Sequence, residues 1–593
     1  MRSGTLRVSC LRTIGTLRAP ERRKGSDIAS TAPTSPLPAG SPARASGFRR
    51  QLPLFLVEVV GCLAIGLLQP PAPVPEDAPL DEFSSARAWR HVEAIARSPH
   101  PVGSAEHDAV LHYLEGALIA SGVPLPGEVQ SGEVGGTPLR NLAARIPGTQ
   151  GGRAVLLVAH YDSAPGAPGA ADDAAGVAAI LETARALRHR PPIQNDVIIL
   201  FTDGEEPGLL GARLFVEKHP WARDVGLVLN FEARGNCGPS ILFETSEGNG
   251  RLIREAAKAA PRLVASSLAY AVYKRMPNDT DLTVFKRAGM PGLNFAFIGG
   301  LPAYHTALDT PANLDERSLQ HHGSYALSLA TRFGNLDLRQ LGDRDAVYFD
   351  VAGRLFLHYP GHLSGPFTAA LALAYGLIAV AGLRRGCISV KGVLRGARSW
   401  AGDLVETAGA AALGAWLIAK GLQLALSTPV RLPWGAPWAH ALFVVGLFHV
   451  TGLLMSRRRR RRAVPIRPAE EVAGFQLLLL AALIVVNVFI EGATFLLAAP
   501  FLLSLPALII QIRMAPFAPP CPRAHAALYV AAFAVAALLF PAAFLLVLAL
   551  ATGVAAPVLV AMVLAAVQLA TLLPALERVA SPPKAPVTSL GGT

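Results

Sequence analysis

The stretch Ala154–Leu187 reads AVLLVAHYDSAPGAPGAADDAAGVAAILETARAL. It opens on an apolar run of strand length at Ala154–Ala159, passes through a loop rich in Gly and Pro, and continues with a helical pattern at Ala174–Leu187. A continuous apolar run is typical of a strand that is buried on both faces. The stretch therefore predicts a strand, a loop and a helix, with polar residues such as His160 at the end of the strand.

The same pattern repeats outward from this unit. Apolar runs of strand length recur at Asp196–Thr202, Gly226–Phe231 and Gly292–Ile298, with a helical pattern at Gly208–Lys218 between them. Two helical stretches, at Ser84–Ala96 and Ala105–Ser121, come before them. Strands that alternate with helices predict an α/β fold with a mostly parallel mixed sheet flanked by helices on both faces.

Polar residues collect after each predicted strand, where such sheets bind their ligands. They are His160 and Asp162, then Asp203, Glu205 and Glu206, then Glu232, and finally His305. Imidazoles together with carboxylates, Asp172 included, suit zinc ions. A carboxylate next to a ligand, as Glu205 stands next to Glu206, can act as a general base.

Each of these residues also has a structural interpretation when it is taken alone. Asp172, Asp173 and the pair Glu205–Glu206 could be helix caps or partners of a helix dipole. His305 could be an ordinary loop residue, and we expect His321 and His322 to face solvent. The joint occurrence of five competent ligands and a base favours the metal site.

Four motifs carry a resemblance to the co-catalytic zinc exopeptidases, the family that includes aminopeptidase Y, glutamate carboxypeptidase and glutaminyl cyclase. The motifs are AHYDSAPGAPGAADDAAG at Ala159–Gly176, TDGEEPGLLGA at Thr202–Ala212, NFEARG at Asn230–Gly235 and YHTALDT at Tyr304–Thr310. With SPHPVGS at Ser98–Ser104, the resemblance extends over roughly Asp81–Ala330. The order of parts further resembles the membrane-bound subset, of the vacuolar membrane protease and endoplasmic reticulum metallopeptidase type.

The resemblance implies two zinc ions bridged by Asp172. His160 and Glu232 would complete one site and Glu206 and His305 the other, as ligands of a peptidase that acts on peptide substrates. Glu205 would be the catalytic base, and Asp162 would hold His160 by its free ring nitrogen. The resemblance also implies a cis Asp172-Asp173 peptide and, in NDTDLTVF, a substrate-binding role for Asp281.

The composition places this domain in a membrane protein. The chain has 593 residues, of which 51% are hydrophobic and 16% charged, with a net charge of +12. Eight apolar windows could span a bilayer. They are Leu52–Leu68, Phe367–Leu383, Leu404–Leu426, Ala436–Met455, Val472–Ile490, Ala493–Ile512, Ala524–Val547 and Val554–Leu576. The family's membrane-bound subset has nine helices, so a count of eight or nine stays open.

The charge distribution predicts the topology, because basic residues near helix ends stay in the cytoplasm. Residues 1–50 hold ten basic and two acidic residues, whereas residues 70–366 hold 26 basic and 33 acidic. We therefore expect a disordered basic cytoplasmic tail at 1–50, a transmembrane helix at 51–69 and an exported zinc peptidase domain at 70–366. Seven transmembrane helices follow at 367–576, then a cytoplasmic tail at 577–593.

Several other interpretations are weaker. The six arginines at Arg457–Arg462 lie beside an apolar helix and indicate a topology anchor, so no nucleic-acid partner is expected. The five cysteines are scattered, which excludes a disulfide framework.

Alternatives to an aminopeptidase are a carboxypeptidase, a glutaminyl-cyclase-like enzyme, a non-catalytic receptor or scaffold, and a transporter with an accessory peptidase. The Ala- and Arg-rich composition favours a bacterial inner membrane with a periplasmic peptidase domain, or a lumenal one in a eukaryote. The oligomeric state is not predicted.

Overall fold

A computed structural model describes residues 43–123, 128–406, 409, 437–461, 466–514 and 522–550. The helices of the α/β part are α2 Ser85–Ile95, α3 Ala105–Ala120, α4 Ala174–Arg188, α5 Leu210–Lys218, α6 Gly250–Ala259, α7 Ser267–Tyr273, α8 Asp281–Arg287 and α9 Glu316–Phe333. Its strands are β1 Glu128–Val134, β2 Thr137–Ile146, β3 Ala154–His160, β4 Val197–Thr202, β5 Val225–Ala233, β6 Ile241–Thr245, β7 Val264–Ala265, β8 Gly292–Phe297, β9 Ala346–Val351 and β10 Leu355–Pro360.

The first eight strands form one mixed sheet in the order β1-β2-β4-β3-β5-β8-β6-β7. Its centre is parallel, because β3 pairs in parallel with β4 and β5, and β5 with β8. Strands β1 and β2 pair antiparallel at one edge, and β6 lies antiparallel to β8. Every residue of β3, β4, β5 and β8 is buried. This arrangement brings the carboxyl ends of four central strands to one edge of the sheet.

The predicted α/β fold is confirmed, and each of the four predicted strands lies within two residues of its expected ends. The sequence analysis did not predict β1, β2, β6, β7 or the separate antiparallel hairpin of β9 and β10. The sheet therefore contains more antiparallel pairing than the central pattern indicated. Strand β1 (EVQSGEV) is largely polar, so it lacks the continuous apolar run of a central strand.

The long apolar helices follow the same chain. They are α1 Ala43–Leu67, α10 Ser364–Arg384, α11 at residues 390–406, α12 Pro437–Arg460, α13 Pro468–Phe489, α14 Phe495–Met514 and α15 Pro522–Leu550. Within the part of the chain that the structure describes, three segments are long and apolar enough to cross a membrane: Gly361–Arg384, Pro468–Phe489 and Phe495–Arg513. Shorter apolar segments lie at Phe55–Leu67, Val444–Met455 and Val530–Leu546.

Six of the eight predicted membrane windows coincide with these helices. The predicted break between α13 and α14 is confirmed, because a 3-10 turn at Glu491–Ala493 separates them. Window Val554–Leu576, nearly all of Leu404–Leu426 and the predicted tail at 577–593 lie outside the described residues. Of the tail predicted at 1–50, residues 1–42 also lie outside them, and residues 43–50 belong to helix α1. Helix α11 begins at residue 390, between the predicted windows Phe367–Leu383 and Leu404–Leu426.

Two charged groups of the membrane helices have partners that the sequence did not indicate. Oε1 of Glu58, a carboxylate within the predicted window Leu52–Leu68, lies 2.8 Å from Nδ1 of His449, which joins α1 to α12. Arg458, from the six-arginine run, pairs at 2.6 Å with the buried carboxylate of Asp403 in α11. A paired carboxylate inside an apolar bundle is far less costly than an isolated one.

The α/β part packs directly on the ends of α13 and α14. The rings of Phe349 in β9 and Phe495 in α14 stack with centroids 4.3 Å apart. Ser267 at the start of α7 donates a hydrogen bond of 2.6 Å from Oγ to the carbonyl oxygen of Gly492. Both contacts attach the sheet's far edge, where β7 and the hairpin lie, to the membrane helices.

We expect Phe495→Ala to lower the thermal midpoint of the detergent-purified protein. Phe495 is 3% exposed, and truncating a buried phenylalanine costs about 3 to 5 kcal/mol. Phe489→Ala is the matched control, because Phe489 is 71% exposed. Equal midpoints for the two variants would show that the stacked pair does not hold the two parts together.

Candidate active site and metal centre

Four segments bring the predicted site residues to the carboxyl edge of the sheet. His160 is the last residue of β3, and Glu232 is the penultimate residue of β5. Glu205 and Glu206 follow β4, and His305 follows β8 after a short 3-10 turn. Asp172 precedes Asp173, whose side chain caps α4 by accepting from the Gly176 amide. The predicted cis peptide between Asp172 and Asp173 is present.

The first cluster consists of His160, Asp172 and Glu232, and all three are buried. Nε2 of His160 lies 3.2 Å from Oδ1 of Asp172 and 3.7 Å from Oε2 of Glu232. Nδ1 of His160 donates to the main-chain carbonyl of Asp162 at 2.9 Å. Because a carbonyl oxygen only accepts, this bond leaves the lone pair of Nε2 directed at the two carboxylates.

The second cluster consists of Asp172, Glu206 and His305. Nε2 of His305 lies 3.2 Å from Oδ2 of Asp172 and 3.2 Å from Oε2 of Glu206. Asp172 therefore presents one oxygen to each cluster, as the predicted bridging role requires. In each cluster the ligand atoms lie within 4.8 Å of one another. His305 is the accessible member, with 41% of its side chain exposed.

Asp162 is fully buried and orients the loop that follows β4. Its Oδ1 accepts the Glu205 amide at 3.0 Å, and its Oδ2 accepts the Glu206 amide at 3.2 Å. Its carboxylate lies 3.5 Å from Nδ1 of His160, so the closer contact to that ring comes from its main-chain carbonyl. Asp162 thus positions Glu205 and Glu206 through their amides and contacts His160 of the other cluster through its main-chain carbonyl.

The electrostatics of the site follow from burying several carboxylates together. Burial raises the pKa of Glu205 well above its usual range, and it raises the pKa of Glu232 to about 8. Burial alone would lower the pKa of His305, but its bonds to Asp172 and Glu206 raise it to about 10. The raised carboxyl pKa values reflect desolvation and repulsion between neighbouring carboxylates, and a bound cation would relieve that repulsion.

The side chains present fit a pair of metal cations. Two imidazoles and three carboxylates form two ligand sets that share one aspartate. Among the described residues, the buried Oε1 of Glu206 has no hydrogen-bond partner, which leaves it available as a further ligand atom. The nitrogen and oxygen donors suit zinc.

Asp309, in the YHTALDT motif, was missed by the sequence analysis. Its Oδ1 accepts the Ala171 amide at 2.8 Å and its Oδ2 accepts the Asp172 amide at 3.2 Å. Both bonds hold the loop that carries the shared aspartate. The partners are about 140 residues apart in the chain, and no local sequence pattern indicates such a bond.

A cavity of about 160 Å³ opens beside the clusters and is lined by Asp172, Glu205 and Glu232. Tyr304, a second residue without a predicted role, also lines it and stacks on the His305 ring with centroids 3.8 Å apart. Asp281 does not line the cavity: it is 1% exposed and accepts a hydrogen bond from Thr202. Its placement gives no support to the predicted role in substrate binding.

The expectation that His321 and His322 face solvent is wrong. Both are buried in α9, at 2% and 0% exposure. Nδ1 of His321 accepts the Ser240 amide, and Nδ1 of His322 lies 2.8 Å from the Ser240 hydroxyl oxygen. They therefore join α9 to the loop before β6 and belong to the core.

Comparison with known proteins identifies the domain. The model of peptidase family M28 matches residues 141–330. A vacuolar membrane protease of Candida albicans is 34% identical over 277 residues, which cover 45% of this chain and 32% of that protein. Endoplasmic reticulum metallopeptidase 1 of Rattus norvegicus is 31% identical over 245 residues, covering 40% and 27%. The matched region thus spans about a third of these relatives' length.

Solved structures show partial likenesses. An aminopeptidase from Aneurinibacillus sp. strain AM-1 has 14% identity and a TM-score of 0.36, with 45% of this chain and 99% of that chain covered. A glutaminyl cyclase from Porphyromonas gingivalis has 23% identity and a TM-score of 0.34, with 41% and 96% covered. The family match spans the four ligand-bearing motifs, and the chain therefore carries a peptidase family M28 domain at residues 141–330.

Proposed function

We propose that the protein is a membrane-anchored zinc exopeptidase, most specifically an aminopeptidase. The observation that carries this proposal is the pair of ligand clusters that share Asp172, with Glu205 next to them in the cavity wall. His160, Glu232, Glu206 and His305 complete the proposed ligand set. Zinc ions bound there would polarise a scissile carbonyl and lower the pKa of water.

The residues of the chain have separate tasks in this reaction. Glu205 is half-buried in the cavity wall, and its raised pKa suits a group that takes a proton from the attacking water and later gives it to the leaving amine. Asp162 fixes the main chain at Glu205 and Glu206 through two amide bonds. Asp309 fixes the main chain at Asp172 in the same way.

The charge of the cavity wall favours the aminopeptidase alternative. Its described lining contains five carboxylates, Asp172, Glu205, Glu232, Asp279 and Asp350, and one arginine, Arg234. Two divalent ions would offset the ligand carboxylates and the base, so the remaining wall is not cationic. A substrate's free amino group fits this wall better than the free carboxylate that a carboxypeptidase must bind. A glutaminyl-cyclase-like reaction also starts from an amino terminus and stays the second candidate.

A non-catalytic receptor or scaffold is less well supported. A non-catalytic protein does not need a general base beside complete metal-ligand sets. This site holds the five proposed ligands and Glu205 close together. We further propose that the peptidase domain faces the side opposite to the cytoplasm, with two zinc ions as its cofactors. The acidic balance of residues 70–366 between basic flanks supports that orientation.

We predict that Glu205→Gln lowers kcat on aminoacyl-4-nitroanilides by about 100-fold or more, because a general base contributes 10²- to 10⁴-fold. The control is Glu217→Gln, on the exposed face of α5. The parent's activity should disappear with chelator, return with zinc, and be absent on N-acetylated substrates. Activity that survives chelation, or a fully active Glu205→Gln variant, would contradict the proposed zinc mechanism with Glu205 as general base. Release of carboxyl-terminal residues from blocked peptides would favour a carboxypeptidase.

We predict that Asp309→Ala weakens zinc binding by roughly 10- to 100-fold, because groups that orient a ligand typically contribute that much affinity. Asp337→Ala is the control, since Asp337 likewise accepts a main-chain amide, that of Arg339, but away from the site. Equilibrium dialysis against buffered zinc measures both affinities. Equal affinities in the two variants would remove the proposed role of Asp309.

We predict that alkaline phosphatase fused after Gly365 is active in bacterial cells, whereas the same reporter fused after Arg467 is inactive. The first junction lies at the start of α10 and the second directly before α13. Comparable expression of the two fusions, checked by immunoblot, is the control. The reverse pattern of activity would overturn the proposed orientation.

A further inference from the structure

The active-site cavity does not end within the peptidase domain. From Asp172, Glu205 and Glu232 it continues between that domain and the membrane helices. On the peptidase side its apolar wall is formed by Ile241, Phe243, Leu268, Val272, Ile298 and Phe349. On the membrane side it is formed by Phe495, Leu538, Pro541, Ala542, Leu545 and Leu546. We call this apolar continuation the apolar slot.

The contribution of α15 is one regular face of the helix. Its lining residues recur at intervals of three and four, from Leu538 through Pro541 and Ala542 to Leu545 and Leu546. Residues with this spacing lie on one side of a helix. Over these residues α15 advances about 12 Å.

The two walls of the slot are held against each other by close contacts. Phe349 and Phe495, one from each wall, stack with ring centroids 4.3 Å apart and close the slot at that point. Leu538 packs in the same buried cluster as these two rings. The slot is therefore a built part of the fold, with its walls supplied jointly by the peptidase domain and by helices α14 and α15.

The chemistry of the cavity is divided along its length. Asp172, Glu205 and Glu232 line it among the proposed ligands and base, whereas every lining residue that α14 and α15 contribute is aliphatic or aromatic. Polar side chains placed there would lose their hydrogen bonds to water and gain none in return, which is unfavourable. Burying apolar side chains there removes apolar surface from water, which is favourable.

We propose that the apolar slot binds the portion of the peptide substrate that follows the scissile bond, and that this portion begins with an apolar residue. The inference rests on the proposed peptidase activity and specifies its substrates as hydrophobic peptides, of the kind that partition into a membrane. It also assigns a task to the carboxyl-terminal helices, which complete the substrate site.

The test uses the zinc-loaded full chain in detergent and three probes: Ala-Leu-Leu-Leu-Leu-amide, Ala-Ser-Ser-Ser-Ser-amide and alanyl-4-nitroanilide. We expect kcat/KM for the leucine peptide to exceed that for the serine peptide at least tenfold. Ala542→Trp, which fills the slot, should reduce that ratio at least tenfold. Leu545→Ser, which adds a hydroxyl to the same wall, should reduce it as well. Ala534→Trp, on an exposed part of α15, is the matched control and should keep the parent's ratio.

Binding provides a second measurement that does not depend on turnover. In the Glu205→Gln background, a fluorescently labelled leucine peptide should bind more tightly than the labelled serine peptide, and Ala542→Trp should abolish the difference. If the parent protein cleaves and binds both peptides equally well, the proposed role of the slot in substrate binding is wrong. If no probe is cleaved, including alanyl-4-nitroanilide, the proposed function fails, while the binding comparison still decides whether the slot prefers apolar peptides.

Discussion

The arrangement of the site depends on one carboxylate held between two imidazoles. Asp172 lies 3.2 Å from His160 through one oxygen and 3.2 Å from His305 through the other. Around it, Glu206 and Glu232 add two further carboxylates. Two unit charges of like sign 4 Å apart repel by about 4 kcal/mol at an effective dielectric constant of 20. Such a cluster is stable only when protons or cations neutralise part of its charge, and the proposed metal pair would do so.

The fold supplies this geometry through its central parallel strands. Because β3, β4, β5 and β8 are adjacent, the residues that follow them meet at one edge of the sheet although they are up to 145 positions apart in the chain. Positioning residues act on the loops: Asp162 holds the loop after β4, and Asp309 holds the loop before α4. On the other side, β9, α14 and α15 extend the cavity, which makes the membrane helices part of the enzyme's substrate site in our proposal.

Much of this arrangement could be predicted from the sequence, and the exceptions have physical reasons. The central strands are continuous apolar runs, and the ligands follow them directly, so both signals are local. Strand β1 is polar, β7 has two residues, and the hairpin of β9 and β10 lies beyond the repeating pattern, so none gave a comparable signal. The roles of Asp309, of the Glu58–His449 pair and of the buried His321 and His322 come from long-range contacts, which composition and spacing do not report.

The proposed mechanism depends on two zinc ions that share Asp172 as a ligand. Anomalous diffraction from crystals of the zinc-loaded protein, recorded on both sides of the zinc absorption edge, tests it most directly. We expect two zinc peaks, one between His160 and Glu232 and the other between Glu206 and His305, with Asp172 contacting both. A single peak, or zinc located away from Asp172, would contradict it.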